Sequence, residues 1–548
     1  MNFFYTTPLF KSYLRKAQEL VQDWVKSGTR FLIYGAGEHT LVLSRHLGLT
    51  SPVFLGFIDQ SEAKQKSGFL GKPVYSLEKG VEIMPDAILI SSYEYQGEIA
   101  KSITGLAPEL VVTALYEKME AEKKADLDPR PVQIKKEGGE KRGPRIAVID
   151  TFFSWPPIGG SSVDLASVMN LLTLQGCDIT FFLPYIEDKL YFPRGRIFSS
   201  SSLQFNVSNL VFSQKEFSEN IFVERVGTAV DAYRPDYVFL GDMYAFKPSL
   251  LLRLKRYKTI WRSYNYDIVC PRMTLLNGSG EPCALSFLDT PEKCRQCVEK
   301  DDSLDHAHPI MKELKLARGF SKEYHQKCVR AFDEAFAFIV YNDALRSRLA
   351  PRIKNPEKIK IIPTGIFPDD FSGNPKENRS KKVTIFLPGR VQDPVKGFSF
   401  YLQVFQKLKK KYNNIELLIT GKFDPVIEGV RSVGWYPVEK VPLLYKKADF
   451  CVIPSLWEEP FGIVALEAMA SGVPVLASAA GGLKGIVKDR QTGFLAPPGD
   501  FNAFFNFSEA LIQSRPLRNR LGCQGEVEAK AYAWDSVVQR YAREVFSV

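Results

Sequence analysis

The stretch FCVIPSLWEEPFGIVALEAMASGVPVLAS, residues 450–478, decides the fold. It opens with a short apolar run that ends near Ser455 and closes with a second, PVLAS, from Pro474. Between them, Pro460 stands where a helix can begin, since the N–H it lacks is one the first helical turn leaves unbonded. Gly472 stands where that helix must stop, and Pro474 forbids continuation. The spacing predicts a helix over residues 461–471 between two buried parallel strands, its amino end aimed at the carboxyl edge of a sheet. Open α/β sheets bind their ligands at that edge. The free N–H groups and positive dipole end suit an anion or a set of sugar hydroxyls. Glu459 lies at the mouth of the helix and Glu467 eight positions on. Eight helical residues rise about 12 Å, so the pair fits the two ends of one extended ligand better than the ~5–10 Å of a glycosidase carboxylate pair. A solvated helix carboxylate at Glu467 is the plain alternative.

The same pattern extends in both directions. VTIFLPG from Val383 and IELLITG from Ile415 precede the stretch. Before them come RIAVID from Arg145, DITFFLP from Asp178, DYVFLG from Asp236, TIWRS from Thr259, FAFIVYN from Phe336 and IKIIPTG from Ile359. Apolar runs without period-two alternation belong to parallel sheets covered on both faces. Separated by helical segments, they predict doubly wound α/β lobes. FLIYGAG from Phe31, VFLGFID from Val53 and AILISS from Ala87 make a further β-α-β unit. The expected division is a Rossmann-like domain over 1–117, a charged linker over 118–144, one lobe over 145–365 with a Cys-rich insertion at 268–325, a second lobe over 366–525, and a terminal helix over 526–548.

Composition agrees. The 548 residues are 45% hydrophobic and 24% charged, which excludes fibrous and disordered classes. No apolar run reaches the ~18–20 residues of a membrane span. The amino-terminal segment, broken by Lys11 and Arg15, reads as an amphipathic helix rather than a secretion signal. Lys plus Arg minus Asp plus Glu is 72 − 62 = +10, mild for this length: it suits anionic small molecules or a membrane surface and argues against nucleic acid. Eight cysteines do not make a secreted disulfide scaffold. The expected compartment is the cytoplasm. The lysines at 407, 409, 410 and 411 would allow peripheral contact with the inner membrane face, or form an ordinary solvated surface.

In VTIFLPGRVQDPVKGFS, Arg390 and Lys396 follow a strand end and supply two cations of the kind a departing diphosphate requires. The set GR…KG, EPFGIVALEAMASGVPV, GG…GI and TGFLAPPGD resembles glycosyltransferase family 4, over residues ~145–548. The resemblance implies the GT-B fold, two Rossmann-like lobes facing across a cleft, and a retaining transferase using a nucleotide-diphosphate sugar. By it, Arg390 and Lys396 hold the diphosphate. Glu459, with the N–H groups of Phe461, Gly462 and Ile463, holds the transferred sugar, and Glu467 holds the ribose. Gly389 and Gly434 line the donor site, and the terminal AYAWDSVVQRYAREVF resembles the family helix that crosses back to the first lobe. No Asp-x-Asp motif follows a strand, so no catalytic metal is expected.

In the first lobe, PPIGGSSVDLA places Gly159 and Gly160 between a strand and a helix, where backbone amides can approach a phosphate. The family often carries a histidine after the strand that here reads TIWRSYNYDIVC. None of the five histidines lies there, Tyr264 falls in its place, and Asp267 follows, so these two are the acceptor-side candidates and no protein base is assigned. Cys270, Cys283, Cys294 and Cys297 lie within 28 residues and end in Cys-x2-Cys. They suggest structural zinc, or an iron–sulfur cluster, stitching down a loop with little core. Four reduced thiols, or a disulfide pair in an oxidising compartment, are the alternatives.

The front domain resembles the nucleotide-binding-like domain of sugar acyltransferases, with Gly35, Gly37 and Asp59 as ligand candidates. Its glycine fingerprint lacks the third glycine, which points to a regulatory, sugar-nucleotide-binding or docking module rather than an oxidoreductase. The whole is expected to transfer a glycosyl group to a glycan, lipid-linked or other hydroxyl acceptor, in cell-surface or extracellular glycan biosynthesis. A non-catalytic sugar-nucleotide sensor and an epimerase on the same fold are the rivals. A phosphorylase is disfavoured because no lysine motif suited to pyridoxal phosphate is seen.

Overall fold

The protein is described by a computed structural model. It describes residues 8–36, 40, 43–44, 47–91, 96–115, 143–155, 157, 159–186, 196–197, 203–212, 218–243, 246–299, 322–371, 382–421, 423, 426–434 and 440–547. The expected linker falls almost wholly outside them. The chain divides into two compact units, Met1–Arg130 and Pro131–Val548.

The first unit holds β1 (Phe31–Tyr34), β2 (Phe54–Ile58), β3 (Val74–Tyr75), β4 (Ala87–Ile90) and β5 (Val111–Ala114) in one parallel sheet of order β3-β2-β1-β4-β5. Two apolar clusters cover its faces, one around Phe31 and Phe57, the other around Leu32 and Ile88.

The second unit contains two more parallel sheets. The strands are β6 (Arg145–Ile149), β7 (Ser154–Trp155), β8 (Asp178–Ile186), β9 (Arg196–Ile197), β10 (Asn206–Phe212), β11 (Tyr237–Leu240), β12 (Lys258–Arg262), β13 (Ala337–Val340) and β14 (Ile359–Ile361). After them come β15 (Val383–Leu387), β16 (Ile415–Ile419), β17 (Val430–Ser432), β18 (Phe450–Ile453), β19 (Val475–Ser478) and β20 (Gly493–Ala496). The sheet orders are β10-β8-β6-β11-β12-β13-β14 and β17-β16-β15-β18-β19-β20, with β7 and β9 forming a small separate ribbon. Each large sheet starts in its middle and reverses direction of growth once, at β6/β11 and at β15/β18. Crevices open beyond the strand ends at such reversals. The central strands are buried on both faces, as unalternating apolar runs require.

Two segments cross between the lobes and run side by side. The Ile366 N–H donates to the Tyr532 carbonyl at 2.9 Å, and the Trp534 N–H donates to the Ile366 carbonyl at 3.0 Å. Beyond the crossing, Trp534, Val537, Val538, Tyr541 and Phe546 sink into the core of the first lobe. A Cβ on Gly365 would collide with the Trp534 ring, so the crossing needs glycine there. Arg262, fully buried, pairs with Asp164 at 3.2 Å and donates to the Ile362 carbonyl at 3.3 Å, tying the connection to the first lobe.

Most lysines of the helix Phe398–Lys411 have partners in their own lobe. Lys407 lies over the Phe501 and Phe505 rings, Lys409 bonds the Asn413 carbonyl at 2.7 Å, and Lys411 pairs with Glu509 at 2.7 Å. Three of the four lysines are thus used within their own lobe, and the structure adds nothing in favour of the membrane contact. No helix among the described residues is long and apolar enough to cross a membrane.

Removing Trp534 tests the crossing. Trp534→Ala should cost about 3–5 kcal/mol and lower the urea midpoint. Val527→Ala, at a 59% exposed position on the preceding helix, should stay within about 0.5 kcal/mol.

Candidate active site between the lobes

The carboxyl ends of β15 and β18, the strands that flank the reversal, carry the second lobe's site residues. β15 runs into Pro388 and Gly389; Gly389 has φ +106° and donates its N–H to Thr420 Oγ1 at 2.7 Å. Arg390 follows, its side chain 53% exposed and paired with Asp393 at 3.2 Å. Lys396 ends a short 3-10 turn that Gly397 closes at φ +73°. A Cβ on Gly397 would run into the Pro454 carbonyl oxygen, and Leu456 N–H donates to the Val395 carbonyl at 2.8 Å. This close approach sets Lys396 against the loop after β18.

There the Lys396 ammonium spans both oxygens of Glu459, at 3.0 and 2.9 Å. Glu459 Oε2 also accepts from Ser455 Oγ and Trp457 Nε1, each at 3.0 Å. The next loop is pinned to the same segment: the Gly482 N–H donates to the Glu459 carbonyl at 2.6 Å, and the Gly481 N–H to Glu458 Oε2 at 2.5 Å.

The helix begins later than the sequence predicts. It spans Ile463–Ala470, preceded by Gly462 at φ +100°. A residue with a side chain there would strain the backbone and strike Leu483. Glu459 therefore lies before the helix, and the 12 Å helical separation from Glu467 does not apply; the left-handed turn at Gly462 sets the two carboxylates apart instead. No side chain caps the amino end. Glu467 accepts from the Tyr445 hydroxyl at 2.7 Å, and burial pushes its carboxyl up to about 7. Gly434, φ +68°, follows β17 and accepts at its carbonyl from the Gly421 N–H at 2.9 Å.

On the facing lobe, the helix Gly160–Leu174 starts directly at the glycine pair with Gly159 as its cap residue. A Cβ on Gly160 would meet Ile463 at 3.9 Å, so the glycine turn lies against the start of the Ile463–Ala470 helix. The lobes also touch where Asn342 Nδ2 donates to the Pro460 carbonyl at 2.5 Å and the Tyr341 and Phe461 rings approach at 5.4 Å. A cavity of about 700 Å³ opens beside these contacts, bounded by Phe461, Gly482, Tyr532 and Arg540.

Tyr264 and Asp267 are not at the cleft surface. Tyr264 is buried with its ring near Arg262 and Tyr341, and burial drives its hydroxyl well above the usual value. Asp267 is also buried, which raises its carboxyl, and lies 3.7 Å from the buried Lys247. The sequence reading passed over Asp150, at the end of β6. Its carboxylate accepts from the Phe152 and Asp242 N–H groups at 2.7 Å each, and burial raises it to about 6. It passed over Trp457, Tyr445 and Asn342 as well; for Trp457 the signal was its place two residues before Glu459.

The cysteine expectation is not met. Cys270, Cys283, Cys294 and Cys297 are all free thiols, and among the described residues no group of three or more Cys, His, Asp or Glu could hold a metal ion. Burial raises the Cys270 thiol and takes that of Cys294 to about 11. The insertion is tied down otherwise. Asn277 Oδ1 accepts from the Ser279 and Glu281 N–H groups at 2.9 Å each, Phe287 N–H bonds the Val269 carbonyl at 2.8 Å, and Arg352 pairs with Asp289. His306 and His308 lie outside the described residues.

In the front unit Gly35 ends β1 at φ +103°, and Gly37 lies outside the described residues. Asp59 is already engaged. Burial raises its carboxyl, but bonds from the Ser61 N–H, Lys64 and the Ala36 N–H, at 2.9–3.0 Å, hold it below the usual range. It secures the glycine turn itself.

Two Rossmann-like lobes with their sheet reversals facing each other define the GT-B fold. The crystal structure of sucrose-phosphate synthase from Thermosynechococcus elongatus is similar, with TM-score 0.53 and 19% identity over 73% of this chain and 98% of that one. So is Anabaena HepE in complex with UDP-glucose, at TM-score 0.51 and 15% identity over 74% of this chain and 100% of that one. At these identities the likeness is one of fold. Residues 370–527 match the family model of glycosyl transferases group 1. The match falls within the second lobe, on the motifs that carry the resemblance. Similar curated proteins include a phosphatidyl-myo-inositol mannosyltransferase of Mycobacterium leprae, 30% identical over 33% of this chain and 52% of its own length. A lipopolysaccharide 1,2-N-acetylglucosaminetransferase of Salmonella typhimurium is 27% identical over 34% and 56%. The chain spans about half the length of these relatives.

Glu467 offers a direct check on the site's electrostatics. With its carboxyl raised from 4.5 to about 7, the folded protein holds a proton that the unfolded chain releases between those values. Stability falls as pH rises through that window and is level above it. Glu467→Gln should therefore raise the melting temperature relative to the parent at pH 8, and the difference should shrink towards pH 5.

Proposed function

We propose that residues 131–548 form a retaining glycosyltransferase that moves a glycosyl group from a nucleotide-diphosphate sugar to a hydroxyl acceptor. The observation that carries the reading is the Lys396–Glu459 pair at the ends of β15 and β18, just before an uncapped helix whose start at Ile463 meets the Gly159–Gly160 turn of the other lobe. Arg390, Lys396 and the helix amino end would neutralise the diphosphate. Glu459 and the N–H groups of Phe461, Gly462 and Ile463 would hold the sugar, Glu467 the ribose, and Gly389 and Gly434 the walls of the donor site. Donors aimed at a departing oxyanion act most strongly where water is excluded. No protein side chain is assigned as base: Tyr264 is buried and Asp267 faces the buried Lys247, and the leaving phosphate oxygen would take the acceptor proton on the face it departs from.

The relatives named for phosphatidyl-inositol and lipopolysaccharide support an acceptor of lipid-linked or glycan type and a part in cell-surface glycan synthesis. The unit Met1–Arg130 would serve as a docking or regulatory module, its Asp59 being spent on its own glycine turn. Cytoplasmic placement follows as the side where nucleotide sugars are made.

Incubation with labelled UDP-, GDP- and ADP-sugars tests the reading. Nucleoside diphosphate should appear only when an acceptor is added; binding without turnover would favour a sensor. Arg390→Ala should lower kcat/KM by roughly 10²–10³-fold, and unchanged turnover in that variant would count against the assignment. If Glu467 must be ionised to accept ribose hydroxyls, donor affinity should fall as pH drops below about 7.

A further inference from the structure

Glu459 is held by more donors than a sugar-binding carboxylate needs. Lys396 reaches both of its oxygens, while Ser455 and Trp457 both add to Oε2. A carboxylate offers about four acceptor positions. Oε2 is thus saturated, and Oε1, with the single donor Lys396 among the described residues, is the atom left to accept from a ligand. Trp457 does two things here. Its indole N–H fixes Oε2 at 3.0 Å, and its ring face lies 5.0 Å below the Lys396 ammonium. A cation over an indole face is attracted by the ring quadrupole. One side chain therefore touches both members of the ion pair, from a loop that the Gly397–Pro454 approach presses against Lys396.

We infer that Trp457 is a positioning residue. It turns Glu459 so that Oε1 faces the transferred sugar, and it holds Lys396 between that carboxylate and the diphosphate. The inference rests on the donor-site reading above and deepens it. It implies that the sugar half of the donor feels Trp457 through Glu459, whereas the bare diphosphate does not need the indole N–H. Phenylalanine would keep the ring face and lose the N–H; alanine would lose both.

Two measurements test this. Trp457→Phe should bind UDP, GDP or ADP within about twofold of the parent. With the matching UDP-glucose, GDP-mannose or ADP-glucose, it should bind and turn over roughly tenfold less well, as expected for a lost bond to a charged group. Trp457→Ala should weaken the bare diphosphate too. The second measurement needs no donor. The protein labelled with 5-fluorotryptophan has six tryptophans, and the ¹⁹F signal absent from Trp457→Phe should move in Glu459→Ala and in Lys396→Met. The inference is overturned if Trp457→Phe matches the parent with the conjugate, if diphosphate and conjugate weaken equally, or if that signal ignores Glu459→Ala. If the parent binds no nucleotide at all, the donor reading fails, and the fluorine signal alone decides whether Trp457 positions the pair.

Discussion

The pairing of Lys396 with Glu459 is the constraint on which the second lobe's site depends. It joins the loop after β15 to the loop after β18, the two strands at the reversal of the sheet. The pair forms because Gly397 lets the backbone pass against the Pro454 carbonyl, which no residue with a Cβ could do without moving one strand end. A partly buried ion pair is stable only when its remaining hydrogen-bonding capacity is met. Ser455 and Trp457 meet it on the carboxylate. The same loop anchors Gly481 and Gly482, so the glycine segment after β19 takes its place from Glu458 and Glu459.

The first lobe enters through a few contacts. Asn342 holds the Pro460 carbonyl and Tyr341 leans on Phe461, so the loop bearing Glu459 is touched from across the cleft. Tyr341 in turn lies under the Arg262 guanidinium, whose partners are Asp164, in the helix after the glycine turn, and the Ile362 carbonyl, at the start of the connection between lobes. A buried arginine with these partners couples glycine turn, connection and aromatic contact in one network. Movement of either lobe must be accommodated around it, because an uncompensated buried charge is costly.

Apolar runs without alternation made the parallel sheets readable, and the glycine and proline positions made the loops readable. The sequence pattern does not mark strands β3, β5, β7, β9, β10, β17 and β20. β3 has only two residues and β17 three, two of the latter exposed, and short segments at a sheet margin carry little pattern. The helix start was misread at Pro460 because proline at a first helical position and proline in a tight approach look alike in one dimension; Gly462 in the left-handed region settled it. The cysteine spacing suggested a metal site, yet spacing says nothing of where thiols point, and an asparagine-centred turn with an Arg352–Asp289 pair fastens that insertion.

The amino-acid sequence by itself determined the class of fold, the place of the crevice, and the residue types at its mouth: two cations, two carboxylates and a glycine pair. Each is a local matter of periodicity, backbone permission or charge. Only the tertiary structure decided the state of those groups. It paired Lys396 with Glu459, buried Tyr264 against Arg262 and Tyr341, raised Glu467 by burial, and brought Trp457 onto Glu459. Those outcomes depend on which distant segments share one low-dielectric space, and separation along the chain carries no measure of that.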